Sequence, residues 1–236
     1  MENRKIALVT GGNKGIGREI VRGLLRVGCK VYLGAREAAK GQQAVTELAA
    51  EGEVRFLQVD LTNQASLDAA AAQLQREEGQ LDILVNNAGI NAAGDGLASV
   101  AAVRSVAQVL ETNFLGTLAV TQAFLPLVRQ AAAGRIVNVS SPLASLTLSG
   151  QHDWGLLGYS ASKAALNMLT VQLAYELRDT AIKVNSANPG YTATDLNGFA
   201  GTDTPAQGAA EAIRLALLPA DGPTGTSSSA TGPLPW

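Results

Sequence analysis

Short, largely apolar runs alternate along this chain with longer stretches of helical periodicity. Lys5–Thr10, Lys30–Gly34, Val54–Val59, Ile83–Val85, Arg135–Val139 and Lys183–Ala187 have the length and composition of strands covered on both faces. Between them, Arg18–Val27, Ala38–Ala50, Gln64–Glu77, Ala101–Ala131, Tyr159–Arg178 and Pro205–Leu217 carry the spacing of helices. Such alternation predicts an α/β fold: right-handed βαβ units giving a parallel sheet with helices on both faces. After Asp221 the pattern breaks. Turn formers dominate, and Ser227-Ser228-Ser229 is poor strand material, so residues 226–236 are expected to be irregular or to pair weakly at a sheet edge.

A chain of 236 residues with this pattern suits one domain over residues 1–236. Hydrophobic residues make up 47% and charged residues 16%, enough for an ordinary core. With a net charge of −2, no basic stripe and 4% aromatics, nucleic acid is not an expected partner. The one cysteine, Cys29, cannot form an internal disulfide and is expected to be buried beside the second strand. The chain runs almost at once into the first strand, so no leader is expected; with no 18-residue apolar run, no membrane partner is expected and the expected compartment is the cytoplasm. No Cys, His and carboxylate cluster has metal-ligand spacing, and Gly-x-Ser-x-Gly is missing, which argues against metal and common hydrolase chemistry.

Chemistry first shows after the opening strand, where Gly11-Gly12-Asn13-Lys14-Gly15-Ile16-Gly17 leads directly into a helix. Strand, glycine-rich turn and helix in that order allow a pyrophosphate close to the backbone and to the helix N-terminus. The spacing is Gly-x-x-x-Gly-x-Gly, at 11, 15 and 17. Folds that choose the unphosphorylated dinucleotide place an acid at the end of the second strand to accept from the ribose 2′-hydroxyl. Here that position aligns with Ala35, Arg36 follows, and Lys14 adds a second cation. Two cations and no acid favour a 2′-phosphate, so NADP(H) is the expected cofactor. Glu37 is expected to begin the next helix, where its charge suits the dipole.

Tyr159 and Lys163 stand four apart in Tyr-Ser-Ala-Ser-Lys and share a helix face. An ammonium beside a phenol favours the phenolate, making a tyrosine with an ordinary pKa of ~10 usable as a general acid or base. Ligands of such sheets sit at the carboxyl ends of the strands. Gly11, Arg36, Asp60, Asn86 and Ser141 follow the first five strands in turn, which predicts one shared crevice.

With Asn86-Asn87-Ala88-Gly89, Asn113, Ser140-Ser141 and Pro189-Gly190 added, the chain closely resembles the short-chain dehydrogenase/reductase family from Lys5 to about Leu218. The resemblance implies a Rossmann-like, doubly wound parallel sheet. It implies that Tyr159 exchanges a proton with a carbonyl or alcohol oxygen, and that Lys163 lowers the tyrosine pKa and binds the nicotinamide ribose. Ser141 would hydrogen-bond the substrate oxygen with Ser140 as its structural neighbour, and Asn113 would hold a water for proton relay. For the dinucleotide it implies the glycine loop with Asn13, Lys14 and Ile16. Asp60 and Leu61 would take the adenine, and Asn87, Ala88 and Gly89 the middle of the cofactor. Pro189, Gly190, Thr192 and Thr194 would grip the carboxamide. Asn86 is expected to be structural.

The interval from Ser141 to Tyr159, 18 residues, is longer than is common in the family, so Thr147–Leu157 is expected to loop over the pocket. His152 lies in that loop and is expected to be exposed. Trp154, Leu156, Tyr191, Leu196 and Phe199 are expected around the pocket. The family pairs the helices at 101–131 and 159–178 with their copies, and its monomeric members carry a much longer insertion before the tyrosine, so a homodimer or homotetramer is expected. The expected activity is NADPH-dependent reduction of a ketone or aldehyde, or the reverse alcohol oxidation. The alternatives are a relative acting on an imine or a dedicated biosynthetic intermediate, and a catalytically silent dinucleotide sensor.

Overall fold

The computed structural model describes residues 4–151 and 155–236. The expectations for His152 and Trp154 lie outside the described residues. Eight strands form one sheet in the order β3-β2-β1-β4-β5-β6-β7-β8. The first six are β1 (Ile6–Thr10), β2 (Lys30–Ala35), β3 (Val54–Gln58), β4 (Ile83–Asn86), β5 (Arg135–Val139) and β6 (Lys183–Asn188). Neighbours among them pair in parallel. The doubly wound, Rossmann-like sheet expected from the sequence is therefore present, each strand within one residue of its expected ends.

Alternation along each strand divides the core. Ala7 and Val9 of β1 face one way, with Val31, Leu33, Val85 and Val137. They pack on α1 (Gly15–Arg26), α2 (Ala38–Leu48) and α7 (Pro205–Ala216). Ile6 and Leu8 face the other way, with Leu84, Ile136 and Val184. They pack on α3 (Gln64–Glu77), α5 (Thr117–Val128) and α6 (Leu157–Glu176). Period-two alternation on strands buried on both faces is the packing reason for a helix layer on each side. Cys29 is buried and unpaired, as expected.

One region departs from expectation, and the tail takes the second of its two expected forms, pairing at the sheet edge. The stretch 101–131 is not one helix: α4 (Val103–Leu110) passes into a π-helical turn, Glu111–Gly116, before α5. The wider turn lets Asn113 reach across to Ile90, and Gly116 allows Leu61 to approach closely. In the tail, β7 (Ser227–Ser229) pairs in parallel with β6, and β8 (Gly232–Pro233) pairs antiparallel with β7. The serines form a strand because their hydroxyls have buried partners. Ser227 Oγ accepts from Asn188 Nδ2 at 2.9 Å, and Ser228 donates to Glu211, a carboxylate buried on α7 and also held by Arg214.

A buried polar ladder fixes α6 against the carboxyl end of the sheet. Asn86 donates to Asn138 (2.9 Å), and Asn138 donates to Thr170 on α6 (2.8 Å). Ser140 and Ser186 both donate to Asn167 on α6, at 2.8 and 3.0 Å. Buried polar groups paired this way specify one register, since a slip would leave each of them unsatisfied.

Candidate active site

Three adjoining cavities lie along the carboxyl ends of the strands. The first, about 680 Å³, is walled by Asn13, Lys14, Ala35, Arg36, Lys40, Asp60, Leu61, Ala88 and Gly89 among others. The second, about 180 Å³, runs over Gly11, Gly15, Ile16, Gly17 and Asn87 to Tyr159, Lys163, Pro189 and Thr194. The third, about 420 Å³, opens beyond Tyr159, between Ser141, Leu143, Leu156, Gly190, Tyr191, Thr192 and Leu196. The expected cofactor residues thus share one cleft, with only Asn113 of the expected site set outside its walls.

The glycine loop is shaped by two constraints. Gly11 has φ of +63°, in the left-handed region, and a Cβ at Gly17 would collide with the Gly11 carbonyl and the Asn87 amide. Asn87 stabilises the turn by donating to Thr10 O at 2.9 Å and Gly11 O at 3.2 Å. No side chain caps the start of α1, and its first residues, Gly15, Ile16 and Gly17, line the cleft, an arrangement suited to a pyrophosphate.

Around the first cavity the second strand ends in Ala35, and three cations gather instead of an acid. Glu37, the N-cap of α2, is held below the usual carboxylate range, first by its hydrogen bond from Lys40, then by the charges of Arg36 and Lys14. Lys40 was missed in the sequence. The available signal was its position four residues after Arg36, in the first turn of α2, which walls the same cavity. Asp60 lines the first cavity, and its Oδ1 accepts from the Thr62 amide and hydroxyl at 3.0 and 2.8 Å.

At the junction of the second and third cavities stand Ser141, Tyr159 and Lys163. Lys163 is buried, and its Nζ donates to Val139 O at 2.7 Å while lying 5.7 Å from the centre of the Tyr159 ring. Burial pulls Lys163 down to about 8. Tyr159 keeps a partly exposed surface along the cavity wall, yet burial pushes its phenol up to about 12, and the Ser141 hydroxyl opposes that rise. The expectation that Lys163 draws Tyr159 below its ordinary value is not met here. Both groups are driven toward their neutral forms by desolvation, and the lysine spends its short bond on a carbonyl. Ser140, by contrast, is committed to Asn167.

Asn113 lines none of the three cavities. It is fully buried, and its amide is engaged by Ile90 N (2.8 Å), Ile90 O (3.0 Å) and Ser162 Oγ (3.1 Å). It pins the loop after β4 to the helix that carries Tyr159 and Lys163. Asn86 is structural, as expected. Phe199 is 69% exposed at the tip of the segment after β6 and lines none of the three cavities, whereas Leu156, Tyr191 and Leu196 do line the third. Of Thr147–Leu157, Leu156 reaches the third cavity.

The segment after β6 folds back on itself through a bridge between Thr192 and Asp203, then a short turn at Asp195–Asn197 capped by Thr194. That turn is tied to both sides of the cleft. Asp195 pairs with Lys14, and Asn91 donates to Leu196 O at 3.1 Å. Neither contact has a local sequence signature.

Known proteins share this arrangement over nearly the whole chain. The short chain dehydrogenase family profile matches residues 5–204. The chain belongs to that family. Its members use a nicotinamide dinucleotide, and this chain is an oxidoreductase of the family. Carbonyl reductase [NADPH] 1 of Pongo abelii is 36% identical over 265 aligned positions, covering 93% of this chain and 94% of the relative. A (+)-neomenthol dehydrogenase of Capsicum annuum is 30% identical, covering 94% of each. Among solved structures, the NADPH-bound carbonyl reductase from chicken fatty liver superposes with a TM-score of 0.86 at 30% identity, over 99% of this chain and 95% of that one. Among the described residues, no helix is long and apolar enough to cross a membrane, and no group of His, Cys, Asp and Glu could hold a metal ion.

Proposed function

We propose that this protein is an NADPH-dependent carbonyl reductase acting on small or medium apolar ketones and aldehydes. The observation that carries the reading is the place of Tyr159, the shared wall of the 180 Å³ and 420 Å³ cavities. Gly11, Gly15 and Gly17 would hold a reduced dinucleotide along the cleft, where it would furnish the hydride for the carbonyl carbon. Tyr159 supplies the proton to the carbonyl oxygen, and a phenol raised to about 12 holds that proton at neutral pH, as a donor must. Ser141 orients the oxygen against the phenol. Lys163, as ammonium, steadies the phenolate left after transfer and returns a proton to it.

Lys14, Arg36 and Lys40 support the choice of the phosphorylated cofactor, since they surround the cavity edge where Ala35 replaces the acid that selects NADH. Ile16, Pro142, Leu143, Leu156 and Leu196 give the third cavity an apolar lining, and its 420 Å³ lies within the range of ordinary small-molecule sites. A lone, buried, unpaired cysteine suits a reducing compartment such as the cytoplasm.

The test is consumption of reduced nicotinamide with a panel of ketones and aldehydes, NADPH and NADH compared. Turnover with NADPH on apolar carbonyls supports the reading, while tight binding without turnover across the panel would leave a dinucleotide sensor.

The same reading extends to assembly as a homodimer or homotetramer. Val103, Leu115, Met168 and Tyr175 are exposed on α4, the π turn and α6, the helices the family pairs between copies. Light scattering should give at least twice the 24.3 kDa of one chain, and a monomer at micromolar concentration would refute it.

A further inference from the structure

The helix that carries Tyr159 does not cap itself. Leu156, at its N-cap, has no side chain that can accept a hydrogen bond, and α6 would begin with unpaired amides at Leu157, Gly158 and Tyr159. All three are satisfied by two residues from the loop after β4. Leu157 N donates to Gly96 O at 3.0 Å. Gly158 N donates to Asp95 Oδ1 at 2.7 Å, and Tyr159 N donates to Asp95 Oδ2 at 2.9 Å. The carboxylate is itself oriented, because Oδ1 also accepts from Gly96 N at 2.9 Å. Gly158 makes room for it: a Cβ there would sit 3.2 Å from both carboxylate oxygens.

We infer that Asp95 is a positioning residue for proton transfer: its carboxylate caps the catalytic helix from outside and sets where the Tyr159 phenol stands. The inference rests on the reading of Tyr159 as proton donor. Its physical ground is that the amide of Tyr159 itself is one of the two held by the carboxylate. Release of Asp95 lets the first turn of α6 fray at the residue whose hydroxyl must meet the substrate oxygen. The loop that carries Asp95 starts from Asn87-Ala88-Gly89 on the cofactor cleft and is pinned to α6 again through Ile90, Asn113 and Ser162. Asp95 therefore joins the cofactor wall to the proton donor directly, across 64 residues of sequence.

The experiment compares Asp95→Ala, Asp95→Asn and Asp95→Glu with Asn63→Ala, a cap removed from α3, whose side chain accepts from Ser66 N. Losing either cap should lower the thermal midpoint by a comparable few degrees. Asp95→Ala is expected to lower kcat by about tenfold or more at saturating cofactor and substrate, since small misplacements of reacting groups have effects of that size. The dinucleotide Kd should not change. Asn63→Ala should lose comparable stability with kcat intact. Asp95→Asn, which keeps one accepting oxygen but sets an NH2 against the other amide, should fall between Asp95→Ala and wild type in kcat. Asp95→Glu, which keeps the charge but moves it by one methylene, should fold and yet turn over more slowly than wild type.

A wild-type kcat in Asp95→Ala, an equal kcat loss in Asn63→Ala, or no recovery in Asp95→Asn would each overturn the inference. Tyr159→Phe measured alongside separates the two failures. If that variant stays active, the proton-donor reading falls; if it is dead while Asp95→Ala runs at full rate, only the positioning role falls.

Discussion

The Lys14 ammonium of the glycine-rich loop and the Asp195 carboxylate of the segment after β6 form an ion pair across the mouth of the dinucleotide cleft. The lysine that would meet a 2′-phosphate is thus shared with a carboxylate of the same chain. Both side chains are largely open to solvent, so the pair is worth well under about 1 kcal/mol. Asp195→Asn should free Lys14 and tighten NADPH by no more than about fivefold, leaving NADH unchanged. Fluorescence titration at low and high salt checks this, and the gain should shrink as salt rises. Weaker NADPH binding in the variant would mean that Asp195 holds the cleft in shape rather than competing for Lys14.

Arg36→Asp should weaken NADPH strongly and NADH little, because it removes a cation and adds the acid that reads a ribose hydroxyl. Lys40→Ala should shift preference the same way by a smaller amount, since its charge is partly offset by Glu37. Initial rates with the two cofactors decide both. Equal kcat/KM for NADPH and NADH in the wild type would refute the reading of these cations.

Tyr159→Phe removes one hydroxyl at the junction of the two inner cavities. Turnover should fall roughly 10²–10⁴-fold, the ordinary worth of a positioned proton donor. The dinucleotide Kd should stay near wild type. More than about a tenth of the wild-type kcat would mean that another group delivers the proton.

Lys163 and Tyr159 also leave a signature in the dependence of stability on pH. The lysine is lowered from 10.5 to about 8, so between those values the unfolded chain holds a proton that the native chain has released, and stability rises with pH. The tyrosine is raised from 10.0 to about 12, so between those values the native chain holds the extra proton, and stability falls. Lys163→Met removes the first effect. Its stability relative to wild type should be highest near pH 7 and should decline by up to about 3 kcal/mol by pH 10. Urea unfolding at several pH values measures this, and parallel curves for the two proteins would show that burial of the lysine carries no such cost.

What the sequence disclosed was local. The glycine loop, the strand ends and the Tyr159–Lys163 spacing are each written in a few adjacent residues, and each stands where expected. What it hid depends on partners distant in the chain. The π turn at Asn113 exists to reach Ile90, and Ser227–Ser229 pair as a strand because Asn188 and Glu211 await their hydroxyls. Asp95 lies in a loop with no helix of its own to cap. The reversal of the Tyr159 shift has the same origin. Spacing tells that a lysine shares a helix face, but only the packed surroundings tell how much water both groups have lost.

The outer strand of the sheet has a consequence for behaviour in concentrated solution. β8 is two residues long, and one of them, Pro233, has no amide hydrogen to offer a neighbour. That margin gives another molecule almost no ladder to extend, whereas the opposite margin is β3, a five-residue strand. Strand-to-strand growth is therefore confined to the β3 edge, where the charged side chain of Arg55 stands against it.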